Sequence, residues 1–257
     1  MAQPQADAQS ARNAVIASAA ARRLAGLWPQ VDWESPDAVN AVSTVYGAIV
    51  QQFGRSAAAV AATTYDQLRA TQGLRSQFHA VPADPVPQTV IDKVVQSAFL
   101  GNPALDTTSD MPVEQRVPSR LEDSLQRRVL QPARDTIAEN VAADPAKARY
   151  VRVPRGATTC AFCVLLASRE IQKVKGGKAN FSGYSTAQAA LFGSNGQRYH
   201  NHCDCEAVPI FPGQTAGDVS PNHADFQDMY YKAAADAGTH SNLNKILASM
   251  RKQNSLK

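Results

Sequence analysis

The chain has no cysteine before residue 160 and none after residue 205, although it runs to 257 residues and holds four in all. Thiols used only for packing would be scattered, so their absence elsewhere singles out one segment. Aromatic residues are few, at 7%, while alanine is plentiful, which favours helices packed closely through small side chains. No stretch is apolar for the ~20 residues a membrane span needs. Met1 to Ser10 lacks the apolar core of a signal peptide. A protein made and kept in a reducing cytoplasm is therefore expected, where clustered thiols favour a metal over a disulfide. Acidic residues nearly vanish between Lys147 and Lys178, where Glu170 stands alone against Arg149, Arg152, Arg155, Arg169, Lys173, Lys175 and Lys178. Those seven form a candidate contact surface for a polyanion or an acidic protein face. A solvated face around a metal site is the plainer reading of the same run.

What is present in the first half is helical periodicity, punctuated by proline and glycine. An alanine-rich helix is expected from Ala8 to Leu27, stopped at Trp28-Pro29. Ser35-Pro36-Asp37 reads as a helix start, with Ser35 as the cap. Val39, Val42, Tyr46, Ile49 and Phe53 then recur at helical spacing and mark a buried face. Gly54 is expected to interrupt that helix, which resumes until Gly73. Residues 80 to 87 form a proline-rich connector before a helix from Gln88 that ends at Gly101. The segment from Asn102 to Pro118 reads as a loop. Ser119 and Glu122 have the spacing of a capping box for a further helix, which Pro132 should kink or break.

The texture changes at Asp144-Pro145. Tyr150 to Val153 alternates and is β-branched, which predicts a short strand. Cys160 to Ser168 predicts a short buried helix, residues 176 to 196 a glycine-rich loop with a brief helix at 185 to 191, and residues 207 to 211 a second strand. Two helices should close the chain, at 224 to 237 and 242 to 252. The expected fold is α+β and mostly α: a helical docking region at 1–145, a small zinc-stapled α+β module at 146–212 and a helical tail at 213–257.

The candidate metal ligands are Cys160, Cys163, His200, His202, Cys203 and Cys205. A C-x-x-C pair offers two thiolates from one turn, and the distant H-x-H-C-x-C cluster can complete a tetrahedron around one structural zinc. Closing such a site contributes on the order of 10 kcal/mol to folding. Six candidates compete for four positions. Cys160 and Cys163 are the firmest, joined by Cys203 and Cys205 or by one of these with His200. A disulfide would need an oxidising setting. A Cys203–His202 catalytic pair is also weighed, but four clustered thiols fit a metal better than a single nucleophile. No H-E-x-x-H segment exists for a zinc protease.

The run from Arg152 to Cys163, then Leu166 to Arg169, then Tyr199 to Cys205 resembles the minor capsid proteins of tailed phages that infect actinobacteria. These are similar to the Mu F head-morphogenesis family. The family's C-x-x-C and later H-x-x-C-x-C align with Cys160, Cys163, His200, Cys203 and Cys205, and His202 falls between motif positions. The resemblance covers residues 149 to 211. It implies a virion protein at the capsid interior or portal vertex, made in the host cytoplasm, with no membrane association. Its implied partners are the portal protein, the major capsid protein and packaged DNA. Proteins of this kind are also labelled capsid maturation proteases, which is the alternative. For that activity Ser168, Ser182, Ser185, His79, His223 and His240 are available, but nothing in the sequence marks them as a triad, and a non-enzymatic role is the expectation.

Overall fold

The computed structural model describes residues 3–74, 77–101, 110–155, 159–173, 179–181, 201, 203 and 205–256, with the backbone alone for 3–4, 170–173 and 179–181. The fold is α+β and mostly α, as expected. Four long helices come first: α1 Gln3–Ala25, α2 Ala38–Thr71, α3 Gln88–Leu100 and α4 Val113–Ala143. Then follow β1 Arg149–Val153, α5 Ala161–Ala167, β2 Glu170–Lys173, β3 Ala179–Phe181 and β4 Glu206–Ile210. The chain closes with α6 His223–Asp236 and α7 Leu243–Asn254.

The four strands form one antiparallel sheet in the order β3-β2-β1-β4. β1 and β4 match the two expected strands. β2 and β3 do not follow from sequence pattern, because strands this short owe their form to pairing, β2 with β1 and β3 with β2, rather than to their own periodicity. The expected helix at 185 to 191 lies outside the described residues. One apolar cluster runs from Ala6 through Tyr46, Tyr65, Leu121, Ile137, Val151 and Leu165 to Met250.

Three local expectations are corrected. α2 passes through Gly54 without a break, and α4 passes through Pro118 and Pro132. The two residues meet: a Cβ on Gly54 would lie 3.1 Å from the Pro132 ring. Glycine here allows a close approach of two helices rather than a chain reversal. The capping box at Ser119 and Glu122 does not form, because α4 already begins at Val113. Glu122 instead accepts a hydrogen bond from Trp28 Nε1 at 2.6 Å. Asp37, not Ser35, holds the cap position of α2, while Ser35 Oγ accepts from the Asp37 backbone N–H. Gly101 closes α3 at φ 73°, as glycine allows.

Candidate metal centre

β1 leads the chain away from the sheet, and α5 turns it back through the C-x-x-C pair. Cys160 precedes the first turn of α5 in an extended conformation, and its Sγ accepts from the Cys163 backbone N–H at 3.3 Å. The thiol therefore does the capping work usually done by Ser or Asp, and the two cysteines lie one turn apart. Cys203 and Cys205 arrive from the other direction, just ahead of β4. Cys163, Cys203 and Cys205 are buried, and Cys160 packs against them.

The sulfurs of Cys163, Cys203 and Cys205 all lie within 4.8 Å of one another. The Cys163–Cys203 separation is 3.7 Å. A tetrahedral zinc with Zn–S bonds of about 2.3 Å has sulfurs about 3.8 Å apart, so the spacing fits shared ligation. It is far beyond a disulfide bond, and all four cysteines are free thiols. His200, His202 and Asp204 lie outside the described residues.

Burial makes these thiols unequal. Cys203 is pulled down to about 2, chiefly by a hydrogen bond from Cys163, then by one from Cys205 and by the Arg134 charge. Cys163 is pushed up, first because its thiol bonds Cys160, then by Cys203, Cys205 and burial. For Cys205, Cys163 favours the thiolate, but Cys203 and burial prevail and the thiol is pushed up. A buried knot of thiols that resists full ionisation is what a soft cation relieves, because it replaces protons as the shared positive charge.

The loop that carries Cys203 and Cys205 is fastened to α4. Arg134, 3% exposed, donates from Nη2 to the Cys203 carbonyl at 2.7 Å and from Nε to the Cys205 carbonyl at 3.2 Å. Asn201 Nδ2 donates to Asp123 Oδ2. On the first residue of β4, Glu206 Oε1 accepts from Asn13 of α1 at 2.7 Å, and Oε2 stands 3.6 Å from Arg155 Nε. Burial raises the Glu206 carboxyl, against those two partners.

The expected basic surface is corrected at two positions. Arg152 is 0% exposed and Arg169 3%, so neither is available to a polyanion. Arg169 lies over the Tyr230 ring, 3.7 Å from its centroid, and burial lowers its guanidinium to about 10. Arg155 and Arg149 are half-buried and engaged internally, Arg155 with Asp7 at 2.7 Å and Arg149 with the Gln214 carbonyl at 3.1 Å. Lys175 and Lys178 lie outside the described residues, as does the Lys173 side chain.

The serine-chemistry candidates are likewise placed in part. Ser168 is buried and donates to the Leu165 carbonyl at 2.8 Å. His223 Nδ1 sits 2.9 Å from the Ala167 carbonyl, and His240 Nδ1 3.4 Å from the Tyr230 hydroxyl. His79 is exposed beside Asp66, at 3.7 Å. His223 thus meets the residue that precedes Ser168, while the Ser168 hydroxyl is engaged with its own helix. Ser182 and Ser185 lie outside the described residues.

Sequence reasoning missed Arg134. A signal was available: Leu130, Arg134, Ile137 and Val141 share one helical face, and an arginine on an apolar stripe calls for a buried anion or carbonyl partner.

Fold and site thus define a largely helical α+β protein with a buried cysteine cluster able to hold a metal. Residues 1–233 match the family model described as VG15 protein. The chain belongs to the VG15 protein family, a family of phage proteins. No curated protein and no solved structure matches it. Among the described residues, no helix is long and apolar enough to cross a membrane.

Proposed function

We propose that this protein is a minor capsid component that acts in head morphogenesis near the portal and is stapled by one structural zinc. The observation that carries the metal part is the gathering of three buried sulfurs within 4.8 Å, with Cys160 packed against them. Four thiols drawn from two remote segments suit zinc, which prefers sulfur and nitrogen ligands in a closed tetrahedral site. Such a site has no open position and does no chemistry; it fixes α5 to the start of β4. Membership of a phage protein family and the resemblance of residues 149 to 211 to Mu F-like proteins support the capsid role. The partners this reading implies are the portal protein, the major capsid protein and packaged DNA.

Elemental analysis of purified protein tests the metal. About one zinc per chain is expected, lost in Cys160→Ser together with protease resistance across residues 159 to 211. A folded, metal-free wild type would sink it. Cross-linking of intact heads followed by mass spectrometry tests the place of action. Links to portal and major capsid protein are expected, and purified virions lacking this chain would refute the capsid role.

A further inference from the structure

We propose that the cavity between α3 and α4 is a docking site for an acidic side chain of a partner protein, with Arg128 as its anchor and Lys93 at its rim. This goes beyond the capsid reading and does not depend on the metal. The cavity measures about 470 Å³, toward the small end of the range for ligand sites. Part of its lining is apolar: Val90, Val94 and Ala98 from α3, and Leu121 from α4. Val90 is 39% exposed there. The rest is polar and mostly basic.

Arg128 is the residue that points to a ligand. It lines the cavity from α4, and its Nε, shut off from water, has no hydrogen-bond partner among the described residues. A buried donor without an acceptor is destabilising. Burial lowers the Arg128 guanidinium, the Tyr46 phenol opposes this, and the Arg127 charge adds to it. An anion entering the cavity would reverse that balance, and a carboxylate fits the planar guanidinium fork. Lys93, exposed on α3, brings a second cation to the rim. Arg120 and Asp123 line the cavity too, but the fold already engages them. Arg120 Nη1 donates to the Ser97 carbonyl at 2.9 Å, and Asp123 Oδ2 accepts from Asn201 Nδ2. A nucleic-acid strand repeats its charge and calls for cations along an open track. Here the cations meet at one cavity with an apolar wall, and Asp123 would repel any further phosphate. One carboxylate beside an aliphatic side chain matches both parts of the lining, and a protein segment supplies that pair.

Proton–nitrogen NMR of the arginine side chains in the full-length protein reads Arg128 Nε directly, with Arg128→Lys assigning the signal. The probe is the capped peptide acetyl-Leu-Glu-Leu-amide, which should shift that signal saturably. Its glutamine counterpart, alike in shape and without the charge, should bind about tenfold or more weakly. Lys93→Gln, at an exposed position, should weaken the glutamate peptide about twofold to fivefold. Arg128→Gln should abolish binding, read from the backbone amides of Val94 and Leu121. No saturable shift, or equal affinity for the two peptides, would overturn the proposal. Tighter binding of inorganic phosphate or of a short single-stranded DNA would overturn the choice of a protein partner and mark a phosphate site instead. Should Arg128→Gln not fold, the comparison of the two peptides and Lys93→Gln still decide. The zinc content and the cross-links that test the capsid reading stand apart from all of these outcomes.

Discussion

Asp144, where α4 ends, gathers three donors, two from α2 and one from the turn that follows it. Its carboxylate accepts from Tyr65 Oη at 3.0 Å, Arg69 Nε at 2.9 Å and the Ala146 backbone N–H at 2.8 Å. Arg69 also donates to the Leu74 carbonyl at 2.7 Å and lies over the Phe78 ring. Both members of the ion pair are buried. Burial pushes the Tyr65 phenol up, and Asp144 pushes it further, so the phenol stays a donor. Such a pair contributes little net stability compared with apolar replacements, but breaking it strands a charge in the interior. Asp144→Ala should therefore lower stability by about 3–5 kcal/mol, a large share of the ~5–15 kcal/mol typical of a domain. Urea unfolding checks it, and a loss under ~1 kcal/mol, the worth of a surface pair, would contradict the arrangement. In sequence, Asp144 registers only as the edge of a new texture. Its partners lie 75 and 79 residues away, and no local pattern names them.

At the scale of elements, periodicity located the buried faces while the helix breakers misled. Val42, Tyr46 and Ile49 are buried on α2 as spacing predicts, with Val39 and Phe53 at the margin of the core. Gly54 and Pro132 carry a high intrinsic helix penalty, yet each lies inside a long helix because it serves the other. The missing Cβ makes room for the ring, and tertiary packing overrides propensity. Gly54→Val should then force α2 and α4 apart and lower stability by about 1–3 kcal/mol, the usual cost of overpacking. Gly54→Ala sets a gain in helix propensity of about 1 kcal/mol against a contact that must yield slightly, and should be much closer to neutral. Thermal unfolding of the two variants checks this. Equal losses for both would show that the Gly54–Pro132 contact does not govern the packing of the two helices.

Across the whole molecule, the cysteines were legible because metal chemistry leaves its mark in residue type and spacing. Their surroundings were not, since Arg134 comes to the site from α4 through the fold. The sulfur cluster stands apart from the large apolar core, which already holds α2 and α4 together through Tyr46, Leu121 and Val129. Removing the metal should therefore loosen the protein locally before it unfolds. Chelation under reducing conditions is expected to raise amide exchange at Val164 to Ala167 and Val208 to Ile210, while Val42 to Leu68 keeps its protection. Acid should do the same. Metal binding displaces thiol protons, so affinity falls as pH falls, and metal-loaded protein should loosen at these segments where acid releases the metal. Uniform loss of protection along α2 would mean that the metal supports the entire core. No change at α5 and β4 would mean that packing alone holds the two cysteine segments together, and that the thiols are neighbours without being ligands.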